Sequence, residues 1–439
     1  MNRRHLLGIA ALAVAAPVAG CRRGAEVRDP EPAPKTPLPA GMVMLQGGDN
    51  VAQLPRETGA KPATDKAGCA FAGALARALA GKKDLLVSPI SLSLPLAMLA
   101  NGARGATLKD LLGALGYASI DELNTACNNL QQTLTGRNRK VEAGRRKGEV
   151  GLQIADALWA QQATPIKQDF LDRAARWYGA GMHGVDFGDA QNTANTINGW
   201  AASNTHDRIK NLLSPDAINE MTRLVLTNAI WFKAPWADEF FRDGQRPFTR
   251  DDGSTTHPET ITPFTNSWAQ GPGWRAAALN YLGNELAMAF VLPDAGKESA
   301  MLDGWAKGGL HGLLTGWQDA EVRLTVPLWK HEQDLKLIEA LGKLGITHLF
   351  EGQQVDLGGI RDPKVEQLFV SEVVQKTWIA VDEQGTEAAA ATAVVVEATS
   401  GPAPRRMQEL TLDRPFWYVI FDRVTATPLF VGRVADPVY

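Results

Sequence analysis

Glu383-Gln-Gly-Thr-Glu-Ala-Ala-Ala-Ala-Thr-Ala-Val-Val-Val-Glu-Ala-Thr-Ser-Gly-Pro-Ala-Pro404 joins two strand-like runs, Glu366 to Asp382 and Phe416 to Phe421. A connection of this length far exceeds what a hairpin needs. Its composition is also wrong for a surface loop. Every second residue from Thr386 (Thr386, Ala388, Ala390, Thr392, Val394, Val396, Ala398) is small or apolar, while both charges, Glu387 and Glu397, fall in the other set. That is the pattern of a half-buried strand, with β-branched residues gathered in its second half. Gly385 supplies backbone freedom where such a segment would bend into a sheet. A flexible Ala-rich loop and a helix are the alternatives, since Ala is the best helix former. A strand that is exposed in one state and packed in another is a switch.

The body around this segment reads as mixed helix and strand without a repeating period, and no second linker divides it. Helices are expected over Ala67 to Ala80, Ile90 to Asn101 with Ser88-Pro89 as cap and first turn, and Asp121 to Thr135. Thr107 is expected to cap a short helix ending at Gly116. Residues 136–148 read as a solvated basic loop. Further helices are expected over Lys167 to Ala180, Asn192 to Ile209 and Asp334 to Leu344, with strands at Gly151 to Ala160, Arg223 to Phe232 and Thr427 to Val434. The period-2 rule places Leu224, Leu226, Asn228, Ile230 and Phe232 on one side. Asn228 among apolar neighbours must find partners.

The start of the chain is separate. Arg3 and Arg4 precede an apolar run, Leu6 to Ala16, too short to span a membrane. It leads into Val18-Ala19-Gly20-Cys21, which resembles a bacterial lipobox, so residues 1–20 are expected to be a lipoprotein signal peptide and Cys21 the lipid attachment point. The expected location is the cell envelope, periplasmic or surface-facing, or the extracellular space, with membrane contact through the lipid alone. Residues 21–63, rich in Pro and Gly, read as a linker, and residues 64–439 as one domain. Cys69 and Cys127 are either an oxidised pair or two buried thiols.

The bulk numbers exclude several classes. With 439 residues, 45% hydrophobic and 21% charged, the body is an ordinary globular chain. A net charge of -3 lacks the concentrated basic surface that nucleic acid binding needs. No GxSxG elbow, CxxC pair, paired-His metal spacing or phosphate loop is present, so neither an enzyme nor a cofactor is expected.

Separated motifs then point one way. Leu86-Val-Ser-Pro-Ile-Ser-Leu92, Asn101-Gly-Ala-Arg-Gly-Ala-Thr107, Val185-Asp-Phe187 with Ile197-Asn-Gly-Trp200 and Thr205, Leu226-Thr-Asn-Ala-Ile-Trp-Phe-Lys-Ala-Pro-Trp236, the run Glu383 to Thr392, Leu412-Asp-Arg-Pro-Phe416 and Leu429-Phe-Val-Gly-Arg433 occur in order. Together they resemble the serpins, the serine protease inhibitor superfamily, from about residue 66 to the end. The resemblance implies an α+β fold of three β-sheets and about nine helices with an exposed reactive-centre loop. It implies a monomeric suicide-substrate inhibitor of serine-type, and also cysteine-type, endopeptidases, whose loop is cut and inserts into the main sheet. The alternative is a non-inhibitory binding or chaperone-like member, a class that tends to carry bulky or charged hinge residues. Here the hinge (Glu383, Gly385, Thr386, Glu387, Ala388, Ala389, Ala390, Ala391, Thr392) is built largely of small residues.

By the same resemblance the reactive bond is Thr399–Ser400, which suits elastase-like or subtilisin-like proteases. Arg405 or Arg406 is the rival and would attract trypsin-like enzymes. Cutting there adds about six residues, or roughly 20 Å of slack at about 3.3 Å per residue, which weakens the pull on the protease. Ser88, Ser91, Asn228 and Gln375 match the polar cluster, or shutter, under the sheet. Gln375 stands where the family usually has His, so no titration of the cluster near neutral pH is expected. Trp236 matches the aromatic plug at the breach where the loop enters. Leu328 stands where a Lys often pairs with the hinge Glu, so no ionic latch on Glu383 is expected.

Overall fold

The computed structural model describes residues 42–48, 51–57, 65–81, 83–144, 146–387 and 407–439. Its helices are α1 (Lys66–Ala78), α2 (Pro89–Ala100), α3 (Gly105–Leu115), α4 (Ile120–Thr135), α5 (Gln168–Tyr178), α6 (Ala190–Asn204), α7 (Glu298–Gly304), α8 (Leu310–Thr315) and α9 (Ile338–Lys343). Local chemistry sets their ends. The Asp65 carboxylate accepts from the Gly68 amide at 2.7 Å to cap α1, and the Ser119 hydroxyl caps α4. Gly116 and Gly179 take left-handed φ and stop α3 and α5. Helix α2 is apolar on almost every side and nearly all buried, so it runs through the core.

The main sheet contains β1 (Val43–Leu45), β2 (Arg146–Gln161), β3 (Met182–Val185), β4 (Leu224–Pro235), β5 (Trp329–Lys336), β6 (Val370–Val381) and β7 (Gly385–Thr386). They are ordered β1-β3-β2-β4-β7-β6-β5, with Arg139–Ala143 as a further strand on β2. Strand β4 is antiparallel to β2 and parallel to the lower part of β6. One face of the sheet packs on the large core that includes α2. The other carries α6, whose Ile197 and Trp200 are buried with Trp159, Val185 and Phe187. The remaining described strands form a ten-stranded and a two-stranded sheet.

Several elements differ from the sequence reading, each for a local reason. The stretch 136–148 is no free basic loop: Arg139–Ala143 and the start of β2 form a hairpin. There Arg137 is paired with Asp422 and Glu285, and Arg139 with Glu285. Thr107 lies inside α3, behind the N-cap Arg104, and its hydroxyl accepts from the Asp356 amide at 2.9 Å. Residues from Asp334 to Lys336 belong to β5, because the ladder with β6 overrides helix propensity, and α9 starts only at Ile338. Helix α6 ends at Asn204, and His206 and Asp207 turn through positive φ. Strand β6 starts at Val370, later than Glu366. Part of the expected linker is docked on the body. Strand β1 pairs with β3, Met42 is buried in the cluster under α6, and Gln53 and Arg56 bond side chains of α4.

Candidate functional site

The segment that opens with Glu383 begins inside the sheet. Strands β4 and β6 pair directly from Leu224/Val370 to Ile230/Thr377. Above that point they part, and β7 lies between them, antiparallel to both, with Gly385 opposite Pro235 and Thr386 opposite Ala234 and Val381. Only glycine suits position 385: its φ is 153°, and a Cβ there would lie 2.2 Å from the Ala234 carbonyl oxygen. Thr386 is fully buried, and its hydroxyl is 2.7 Å from the Tyr281 hydroxyl.

Trp236 anchors this entry point. Its ring stacks on Tyr281 at 4.6 Å, its backbone amide donates to the Gln384 carbonyl at 3.0 Å, and its indole N–H donates to the Asp382 carbonyl at 2.9 Å. The Asp382 carboxylate accepts from the Gln384 and Gly385 amides, which fixes the turn out of β6. Leu328 is buried and offers Glu383 no charge. The expected loss of a latch is nevertheless corrected, because Arg242 pairs with Glu383 at 3.0 Å. A second ion pair closes over the hinge: Arg208, stacked over Trp378, binds Glu387. Glu387 has φ 49°, where the chain turns out of the sheet, and its amide donates to the Ala380 carbonyl at 3.0 Å.

Below the parted region the structure brings Ser88, Ser91, Asn228 and Gln375 together, all buried. The Gln375 carbonyl oxygen accepts from the Ser88 amide at 2.7 Å. Its NH2 donates to the Ser88 carbonyl at 3.0 Å, to the Ser91 hydroxyl at 3.3 Å and to Asn228 Oδ1 at 3.5 Å. Ser88 donates its hydroxyl to the Leu429 carbonyl at 2.7 Å instead of capping α2. The Asn228 amide nitrogen then donates to Asp156 of β2 at 3.2 Å. A chain of hydrogen bonds therefore runs from α2 through β6 and β4 to β2.

Asp156 was not among the expected residues; the four expected ones carry no titratable group, and Asp156 adds a carboxyl at their edge. Its side chain is half-buried, and desolvation pushes its carboxyl above the usual carboxylate range, with the bond from Asn228 offsetting this in part. It opens onto a cavity of about 180 Å3 walled by Leu94, Pro95 and Met98 of α2, Gln131 and Thr135 of α4 and Tyr178 of α5. Its signal was present in the sequence, because Leu152, Ile154, Asp156 and Leu158 form an apolar row broken by one polar residue, as around Asn228. Arg208, Arg242 and Tyr281 carried no such signal, since their partners are distant in sequence.

Cys69 and Cys127 are free and buried, and burial pushes the Cys127 thiol up to about 12, so neither behaves as a reactive thiolate. Among the described residues no group of three or more His, Cys, Asp or Glu is placed to hold a metal ion. No described helix is long and apolar enough to cross a membrane. Cys21, Ala388, Ala389, Ala390, Ala391, Thr392, Thr399, Ser400, Arg405 and Arg406 lie outside the described residues.

Comparison with known proteins places this geometry. Residues 66–437 match the family model described as Serpin (serine protease inhibitor). The chain is 30% identical to the leukocyte elastase inhibitor A of Mus musculus over 371 residues, covering 81% of this chain and 93% of that protein. It is 29% identical to the neuroserpin of Homo sapiens over 376 residues, covering 82% and 88%. Among solved structures, the thermophilic serpin tengpin in its native state superposes with a TM-score of 0.77 at 27% identity, covering 89% of this chain and all of that one.

Proposed function

The chain belongs to the serpin family, whose members are in general protease inhibitors, and from that premise we propose that it inhibits serine-type endopeptidases, and cysteine-type ones, by suicide-substrate trapping. One observation carries the reading: Gly385 and Thr386 already occupy the main sheet between β4 and β6, at the head of an alternating small-residue face. The protease nucleophile attacks the carbonyl carbon of Thr399, the bond to Ser400 breaks, and the new amine leaves with a proton. The resulting ester holds the protease on the loop. Extension of β7 downward then parts β4 from β6, pairs the loop backbone and buries the small face before water can cleave the ester. This reading also deepens the target class. A small residue at 399 suits elastase-like and subtilisin-like pockets, and one relative is itself named for leukocyte elastase.

The test is a panel of such proteases, read on denaturing gels. A covalent complex of the summed mass less the peptide from Ser400 to Tyr439 is expected, with mass spectrometry of the released peptide locating the cut at Thr399 and not at Arg405 or Arg406. A panel that yields only clipped loop and fully active protease sinks the proposal and favours a binding protein on this fold. We further propose that the molecule acts as a monomer anchored through lipidated Cys21 in the cell envelope. Partition of the wild type, but not of Cys21→Ser, into detergent phase checks the anchor.

A further inference from the structure

Phe241 and Phe264 are 67% and 57% exposed. A single exposed aromatic residue needs no explanation, but these two line one open groove of about 540 Å3, together with Phe240, Arg242, Asp243 and Arg323. The groove is built between the two anchors of the bait segment. At one end Arg242 holds Glu383, just ahead of the hinge. At the other, Arg323 lies in register between Phe264 on one neighbouring strand and Glu409 on the other, where the chain re-enters the fold at Gln408–Thr411. Both described ends of the intervening segment therefore meet the body at this surface, which puts it within reach of an enzyme engaged on that segment. A protease–inhibitor interface buries about 800 Å2 on each partner, more than a single extended loop presents, so the contact spills onto whatever flanks the loop.

We infer that this groove is a secondary contact surface for the protease engaged on the bait loop, taking an apolar or aromatic side chain from the rim of the protease active site. The protease as partner rests on the inhibitory reading above, and the surface acts on encounter, not on insertion. Exposed aromatic side chains that become buried on docking are the residues that carry binding energy. The walls hold charges of both signs, Arg242 and Arg323 alongside Asp238, Glu239 and Asp243, so an apolar occupant is favoured over a strongly charged one.

The experiment uses the full chain with Phe241→Ser and Phe264→Ser, singly and together, against a serine protease that cuts the wild-type loop. Because both rings are exposed, the heat-unfolding midpoint should stay unchanged. The second-order rate constant of the double variant should fall roughly tenfold or more, with the number of inhibitor molecules consumed per trapped protease unaltered. If the wild type is cut without trapping, the inhibitory reading fails. The groove is then judged separately, by the same roughly tenfold loss in kcat/KM for loop cleavage. An unchanged rate in the double variant overturns the inference. So does a wild-type dimer in sedimentation that the double variant dissolves, which assigns the groove to a second copy of the chain.

Discussion

The seam between β4 and β6 is one boundary in two conditions. In its lower part the strands pair directly from Val370 to Thr377, and across it the side-chain cluster supplies only the 3.5 Å contact from Gln375 to Asn228. In its upper part the strands are parted, and β7 fills the gap with backbone pairing to both. Trp236, Tyr281, Arg242 and Arg208 fasten that insert from four directions. On the proposed mechanism, insertion is therefore already nucleated. The cost of bringing the ends of a loop together has been met at the top, and what remains is to unzip the closed half one pair at a time. The contrast assigns the barrier to the lower seam and the resting register to the upper one.

Breaking the upper end should have the largest effect. Thr386→Arg places a guanidinium at a fully buried position beside Tyr281, at a cost of several kcal/mol if it stays inside. The hinge must then leave the sheet, insertion fails, and the protein becomes a substrate. Gels should show clipped loop with no covalent complex. Trapping by this variant at the wild-type rate would remove insertion from the account altogether. The lower end yields a smaller effect. Gln375→Leu leaves the Ser88 amide and Asn228 Oδ1 without the partners they now share, which costs about 1–3 kcal/mol. The uncleaved protein should lose roughly 2–4 °C of heat-unfolding midpoint for each kcal/mol. A variant as heat-stable as the wild type would show that the cluster does not hold the seam.

The two ends also differ in how far the sequence revealed them. The closed half was legible in part from its periodicity: Asn228 breaks the row of Leu226 and Ile230, Ser88, Ser91 and Gln375 were placed by the family resemblance alone, and Asp156, which breaks its row the same way in the strand beside it, was passed over. The alternation from Thr386 onward marked a strand, and the structure shows its first residue in a sheet, directly after Gly385. What sequence could not reveal is how the upper end is fastened. Arg208 reaches Glu387, and Arg242 reaches Glu383, only after the fold has brought them together. A latch lost at Leu328 was replaced from another strand, because the charge on Glu383 can be met from any direction that the fold makes close. The docked residues from Met42 onward were hidden for a related reason. A three-residue edge strand such as Val43–Leu45 has too few positions to show a period, and its partner β3 lies far along the chain.

The Arg208 latch sharpens the upper half of the contrast. Arg208 is half exposed while Glu387 is mostly buried, so the pair is worth about 1 kcal/mol. It is made to Glu387 in its turned-out conformation, which on the proposed mechanism would halt insertion after Thr386. In Arg208→Ala, unclipped protein should convert to a heat-resistant inserted form about fivefold faster. Arg208→Glu combined with Glu387→Arg should restore the slow rate. A slow conversion in Arg208→Ala would show that the latch does not set the resting register.

Asp156 supplies the smallest effect, and one of opposite sign. Around its cavity α2 and α4 contribute no titratable group, and Tyr178 of α5 is kept neutral by burial. Its carboxyl has a folded-state pKa above the unfolded one, and desolvation is the main cause. Between those two values the native state holds a proton that the unfolded chain releases. The contribution of this group to stability is therefore fully present below the unfolded value, falls as pH rises through that window, and is lost above the folded value. Each unit of separation is worth about 1.4 kcal/mol. Asp156→Asn removes the ionisation while keeping an acceptor for Asn228, so its heat-unfolding midpoint should match the wild type near pH 4, where the unfolded carboxyl still holds much of its proton, and exceed it by a few degrees at pH 8. The charge, once formed, sits on the strand paired with β4, at the register of the Gln375 link, so in the wild type rising pH should weaken the closed half of the seam and leave the fastened half alone. Equal midpoints for Asp156→Asn and wild type across that pH range would mean that Asp156 is already ionised in the native state and that the lower seam carries no proton-linked weakness.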